Sequence, residues 1–412
     1  MHKVVITGIG MTVSEHRNPH TLFATLKSGQ SLIKEDQALA AMGIHGVASS
    51  RISEQEVTYL QQQYAFLQQS KIAPSGFIGF DALSQSIVDA GLDKGQIRQA
   101  GLYFGTNKTL PTTALLHQLA GPNRATSQLN ESTAYYNPQT VFADMVKHFG
   151  IAGPHASCAD ACAAGASSVI SGYREIASGA LDIAMCGAAD FGTQPVMQLL
   201  FKKIGALNQG HSFTDSSAVS RPFDRDRAGV VLADGAAFVV IESETSALRR
   251  GAKIYAYISG AYRCTESYKM TSTEPSGKYY AECMETALAK SGVAAGDIDH
   301  ISAHGTSTKS NDSAESLAIA KVFGSTTAVT STKSALGHSL AGSGAIEVVL
   351  SALSLKNQVM LPTLNFSALS NDDGEINVVT KATAKKMNYI LSNSFGFGGV
   401  NTSIVLARES RC

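Results

Sequence analysis

Cys162 stands in the run Asp160-Ala161-Cys162-Ala163-Ala164-Gly165-Ala166-Ser167-Ser168, among side chains too small to hide a thiol. A cysteine so placed can act as a nucleophile if its surroundings favour the thiolate. Upstream, Gly153-Pro154 reads as a turn and His155-Ala156-Ser157-Cys158 as a short extended segment. Downstream, Val169, Ile170, Tyr173 and Ile176 recur at helical spacing. Cys162 is therefore expected at a strand-to-helix turn, where unpaired N–H groups and the positive end of the helix dipole favour thiolate over thiol. The same N–H groups can receive an oxyanion. A lone Cys beside Ala and Gly is more often a small buried residue, so its partners decide the reading.

The C-terminal half supplies such partners. His304-Gly305-Thr306-Ser307-Thr308, followed by Asn311-Asp312 and Glu315, comes straight after the strand-like Ile298-Asp299-His300-Ile301-Ser302-Ala303. Lys333-Ser334-Ala335-Leu336-Gly337-His338 follows Thr326-Thr327-Ala328-Val329-Thr330, a second strand candidate. Cys162, His304 and His338 thus share one context, just past a strand, which is where open α/β sheets gather reactive groups.

With the glycine-rich Asn393-Ser394-Phe395-Gly396-Phe397-Gly398-Gly399-Val400-Asn401, these motifs resemble the elongating β-ketoacyl-acyl carrier protein synthases, a family that includes type II polyketide ketosynthase subunits. Val4-Val5-Ile6-Thr7-Gly8-Ile9-Gly10-Met11 and Ser220-Arg221-Pro222-Phe223-Asp224 look like further landmarks in the family's order. The resemblance implies an α/β thiolase-type fold, two similar α/β halves in a five-layer αβαβα arrangement. Residues 1–244 would carry the nucleophile and 245–412 the two histidines.

It also implies a reaction, the decarboxylative Claisen condensation of a Cys162-bound acyl group with malonyl-acyl carrier protein. In that reading His304 and His338 hold the enolate oxygen, and Lys333 and Glu315 fix and polarise them. The N–H of Phe397 joins that of Cys162 as an oxyanion hole, and the Phe397 ring gates the pocket. Phe201 borders the acyl pocket, Thr306 and Thr308 contact the phosphopantetheine arm, and Phe395 and Gly398 complete the substrate-binding positions. Lys202 and Lys203 lie near the entrance, where their charge suits an acidic carrier protein. No cofactor of the enzyme's own is implied beyond the arm borne by the carrier protein. The other partner is a second copy or a chain-length-factor-like subunit.

The elements that position these residues follow the same plan. The apolar, β-branched start is a buried strand, and helices are expected at Leu22–Lys27, Phe80–Ala90 and Val196–Ile204, with strands at Ala100–Gly105 and Ala180–Gly187. Val230–Leu232 and Ala236–Ile241 read as two apolar strands, and Lys253–Gly260 opens the second half. The segment after Gly396-Phe397-Gly398-Gly399 enters a strand rather than a helix, which argues against a phosphate or dinucleotide loop.

Across 412 residues, 44% are hydrophobic and 16% charged, which implies a large buried core. Net charge is zero with no basic run, so nothing favours nucleic acid. No apolar stretch approaches a bilayer's thickness and the N-terminus lacks a signal-peptide succession, so the expected site of action is the cytoplasm. The six cysteines lack disulfide density, and His155 with Cys158 and Cys162 makes a weak metal set.

Three departures from the family pattern favour a specialised, polyketide-type member over housekeeping fatty acid elongation. Lys108, in Thr106-Asn107-Lys108, takes an apolar pocket position in the family; Ala228 stands where an acidic residue is common; Ala233-Asp234-Gly235 stands where Gly-Glu-Gly is common. A thiolase would use a second Cys near the C-terminal glycines, and an initiating synthase an Asn in place of one His. A non-catalytic chain-length subunit would lack Cys162.

Overall fold

The computed structural model describes residues 2–70, 74–106, 138–208 and 215–409, so Lys108 and the loop around it lie outside the described residues. The first half contributes β1 (Val4–Val13), β2 (Gly101–Gly105), β3 (His155–Cys158), β4 (Ile183–Phe191) and β5 (Leu232–Ser243). The second contributes β6 (Ala256–Thr265), β7 (His300–Ser302), β8 (Ala328–Thr330), β9 (Tyr389–Gly396) and β10 (Val400–Ala407). Their spatial orders are β3-β2-β4-β5-β1 and β8-β7-β9-β10-β6. Numbered within each array, both read 3-2-4-5-1. Strand directions repeat too: the second, third and fourth strands are parallel, and the fifth is antiparallel to both neighbours. The arrays join edge to edge where Val4–Ile6 pair with Ile258–Ala256.

Strands β1 and β5 are buried along their whole length, which is why they read as continuous apolar runs rather than alternating ones. Val230–Leu232 and Ala236–Ile241 do not form two strands: Leu232–Ser243 is continuous. The misleading residue is Asp234, whose carboxylate accepts from the N–H of Thr193 at 2.9 Å and of Ile52 at 3.1 Å and so sits paired inside the strand. Asp234 thus ties backbone together, and Ala228 is exposed. Neither departure touches the pocket described below.

Helices α1 (Pro74–Ala90) and α2 (Pro138–Phe149) cover the outer face of the first array, through Phe80, Leu83, Phe142 and Met145. Between the arrays lie α3 (Ala164–Ser178) and, later in the chain, α8 (Ser343–Asn357), which share a core with strands of both halves. Helices α5 (Lys278–Ser291) and α6 (Lys309–Phe323) cover the second array through Tyr280, Met284, Ala314 and Ile319. Helix, sheet, central helix pair, sheet and helix make five layers. Two shorter helices, α4 (Pro195–Lys203) and α7 (Lys333–Leu336), sit at the site.

The central pair explains the small residues that follow Cys162. A Cβ on Gly165 would lie 2.6 Å from the Ala345 nitrogen, and one on Gly344 2.7 Å from that of Ala166. Ala164-Gly165-Ala166 and Ser343-Gly344-Ala345 are small enough to let two helix N-termini meet. Among the described residues no helix is long and apolar enough to cross a membrane.

Candidate active site

A short 3-10 turn, Ala161–Ala163, leads from β3 into α3 and carries Cys162 at its centre. Ala161 is held at φ 48, a left-handed conformation that costs a non-glycine residue about 1–2 kcal/mol. Cys162 is 6% exposed. Burial pushes its thiol up to about 12, against the opposing pull of the Lys333 charge and of the backbone N–H groups of Phe397 and Cys162 itself. The expectation that the turn would favour thiolate is therefore corrected: desolvation outweighs the dipole, and the resting group is a thiol. The same contacts show that both N–H groups converge on the sulfur.

His304 and His338 face this thiol from the second half. Their rings lie 5.3 Å apart between centroids at 85°. Burial, with the nearby Lys333 charge, holds both well below the usual imidazole range, so both are neutral. Lys333, on α7, donates to the His304 carbonyl at 2.7 Å and lies 3.4 Å from Nδ1 of the same ring. A donor at Nδ1 leaves the proton of a neutral ring on Nε2. His338 Nδ1 is engaged by the Ser343 hydroxyl at 2.8 Å.

Glu315 does not pair with Lys333. Its carboxylate accepts from the backbone N–H of His304 and of Gly305, both at 2.8 Å, and burial raises it to about 7. Glu315 therefore fixes the His304 backbone from behind. The partner of Lys333 is Glu347 of α8, in a buried ion pair. Sequence reasoning missed Glu347, although a single acid inside Ala345-Ile346-Glu347-Val348-Val349-Leu350 was the available signal. Asp312 was noticed without being assigned a role. One helical turn before Glu315, it accepts from the N–H groups of Phe223, Thr306 and Ser307 at 2.8–3.0 Å. Phe223 belongs to the Ser220–Asp224 landmark, whose Ser220 hydroxyl also bonds the Lys333 carbonyl at 2.8 Å. That landmark thus braces the imidazole loops.

An open pocket of about 580 Å³ of empty volume reaches Cys162, His304 and His338 from the surface. Phe201, on the buried face of α4, lines it and stacks on Phe397 with centroids 6.0 Å apart. Phe397 is 37% exposed, at the mouth. Thr306 and Thr308 line the approach with their hydroxyls 2.8 Å apart. Phe395 is buried, stacked on Tyr280 at 3.6 Å and edge-on to His304. Gly398 is not among the lining residues; at φ 84 it turns the chain, and its N–H reaches the Met270 carbonyl at 2.7 Å. Lys202 and Lys203 are exposed at the end of α4, next to Phe201. Cys162 and Phe201 pack in one apolar cluster with Leu39, Val47, Leu207 and Leu340.

Comparison with known proteins decides the family. The N-terminal domain model of the β-ketoacyl synthases matches residues 1–247, and the C-terminal domain model residues 255–367. The chain belongs to the β-ketoacyl synthase family. This ketosynthase is 31% identical over 415 residues to 3-oxoacyl-(acyl-carrier-protein) synthase 1 of Haemophilus influenzae, covering 99% of each chain. It superposes on the ishigamide ketosynthase/chain length factor with a TM-score of 0.86 at 28% identity, covering 99% of this chain and 100% of that one. A type II PKS acyl-carrier protein in complex with its ketosynthase bound to the hexaketide, AntDE:AntF, matches with a TM-score of 0.84 at 25% identity, covering 99% and 100%. The fold is accordingly the thiolase type, and the enzyme class is an acyltransferase.

Proposed function

We propose that this ketosynthase elongates a polyketide or fatty acyl chain by decarboxylative Claisen condensation, with Cys162 as acyl carrier and His304 and His338 as the enolate-binding pair. The observation that carries this reading is the convergence of one buried thiol, two neutral imidazoles and two backbone N–H groups on one pocket. An acyl thioester on a carrier protein's phosphopantetheine arm enters past Thr306 and Thr308. The sulfur attacks the thioester carbonyl, and the thiol's proton passes to the departing sulfur, so that the arm leaves as a thiol. The N–H groups of Cys162 and Phe397 hold the oxyanion formed on the way.

Malonyl thioester follows. Its carboxylate leaves as CO2, and the bonding pair moves into an enolate whose oxygen accepts from the imidazole N–H groups. The enolate carbon then attacks the acyl-Cys162 carbonyl and expels the sulfur as thiolate, which takes a proton from solvent through the open pocket. Lys333, paired with Glu347, keeps His304 in the tautomer that donates from Nε2. We divide the chain at Glu244, residues 1–244 bringing the thiol and 245–412 the imidazoles, because the strand order starts afresh at β6. Carrier-protein docking falls to the Lys202 and Lys203 face. A second ketosynthase-like chain would meet the outer edge of β3, which has no strand neighbour among the described residues. We place the reaction in the cytoplasm.

Intact-protein mass spectrometry after mixing with a panel of acyl carrier proteins tests the assignment and identifies the chain. Acyl mass on Cys162 that disappears on adding malonyl carrier protein is the expected result. No acylation by any fatty or polyketide thioester, or acylation on another thiol, would overturn it.

A further inference from the structure

The turn that carries Cys162 has a counterpart in the second half. Leu340, like Ala161, sits at φ 48, one residue into a 3-10 turn, Leu340–Gly342, that leads into α8 as Ala161–Ala163 leads into α3. Gly342 N–H bonds Ser339 O at 2.9 Å, matching Ala163 N–H on Asp160 O at 3.0 Å. Left-handed residues other than glycine persist only where flanking contacts over-determine them. In the second turn one contact is direct: the N–H of Ala341 donates to the Asp190 carboxylate at 3.2 Å. The matching N–H in the first turn is that of Cys162, which must stay open to an oxyanion. A carboxylate there would block the hole and oppose the negative charge.

The first turn is tied down elsewhere. Asp160, immediately before Ala161, accepts from Arg263 at 2.9 Å, and Arg263 lies on β6, in the other half of the molecule. Arg263 pairs across the strands with Thr402 on β10, which hairpins back through Gly399 to Phe397. On the other side, Gly396 packs so closely that a Cβ would come within 2.8 Å of Asp160 O and 3.3 Å of Cys162 N. The ion pair therefore ties the Cys162 turn to β6, the strand paired with the one that follows the Phe397 loop.

We propose that Asp160 and Arg263 are positioning residues that hold the strained Cys162 turn against the second half and so set the oxyanion hole between Cys162 and Phe397. Their electrostatic partnership is a property of this chain's own residues and rests on the acyl-transfer reading above. It predicts a split between the two half-reactions. Acyl transfer to Cys162 uses the hole, whereas decarboxylation of malonyl carrier protein uses the imidazoles.

The test measures both half-reactions in Arg263→Met, in Asp160→Asn and in Arg263→Lys, which keeps the charge. Deleting a whole oxyanion donor costs 100-fold or more, so loosening the hole should slow kcat for acyl transfer at least about fivefold, with KM for the acyl carrier protein nearly unchanged. CO2 release should stay within about twofold of the parent, and Arg263→Lys should regain most of the loss. A smaller fall in acyl transfer in both neutral variants overturns the proposal, and so does an equal fall in both half-reactions. If Arg263→Met does not fold, Asp160→Asn alone carries the decision. Absence of acylation in the parent enzyme would instead refute the acyl-transfer reading itself.

Discussion

Ala161 and Leu340 share a backbone conformation, a following 3-10 turn and a place at the head of a central helix, yet the residue after each meets a different fate. Cys162 keeps its N–H for the pocket; Ala341 gives its N–H to Asp190. One of the two imidazoles of the second half, that of His338, stands two residues before Leu340, so the same turn presents a thiol in one half and supports a histidine in the other. A repeated scaffold supplies two reactive strand ends facing each other across α3 and α8. What each end does is then decided by which of its polar groups are already bonded.

The comparison can be attacked by moving the nucleophile. Cys162→Ala should abolish condensation, and adding Ala341→Cys should not restore it, leaving turnover at least about 1000-fold below the parent, because the second N–H is occupied. Product formation by that double variant, followed by mass spectrometry, would show the two turns to be interchangeable. His304→Ala and His338→Ala should each cut CO2 release about 100-fold or more while leaving Cys162 open to acylation. Lost acylation with intact CO2 release would reverse the assignment.

The buried pair of the second half comes next in size. Glu347→Ala should destabilise the fold by about 3–5 kcal/mol in urea titrations, since it strands the Lys333 charge. Lys333→Met with Glu347→Leu should recover most of that stability without recovering CO2 release. A double variant that stayed as unstable as the single would point to lost packing. Between the halves, Gly165→Ala and Gly344→Ala should cost similar amounts, about 1–3 kcal/mol each, because each methyl would strike the opposite helix's backbone. Markedly unequal losses would contradict the mirrored contact.

The smallest effects concern pH. A thiol raised to about 12 is uncharged at neutrality, so alkylation of Cys162 by iodoacetamide should quicken steadily as pH rises, about tenfold per unit, with no plateau up to pH 9. Imidazoles held well below 6.5 stay neutral as pH falls through that value. CO2 release should therefore show no histidine inflection near 6.5. An alkylation plateau near neutrality would mean that the thiolate is already formed at rest.

Much of this was legible in the chain itself. Cys162, His304, Lys333 and His338 each follow a recognisable strand, and the fold brings all four together, because strand ends are set by local apolar runs. The thiol's protonation was not legible. It depends on Leu340, Phe201 and Val230, remote in sequence, closing around the sulfur. Nor was the strain at Ala161, since alanine announces no left-handed turn as glycine would. Asp234 misled because a charge inside an apolar run normally ends a strand, and its partners Thr193 and Ile52 arrive from distant segments. Glu347 carried a signal, a lone acid in an apolar helix, but its partner could be named only once α7 and α8 were seen side by side.

The division of labour between the halves is tested most directly by Cys162→Gln, assayed for CO2 release and for condensation on the same preparation. The carboxamide removes the nucleophile and puts an oxygen about where the acyl carbonyl would lie, within reach of the Cys162-position and Phe397 N–H groups. The variant should decarboxylate malonyl carrier protein without an acyl primer, at least as fast as the parent, and form no elongated product. Continued elongation would contradict the role of the thiol, and loss of both activities in a folded variant would contradict the independence of the two imidazoles.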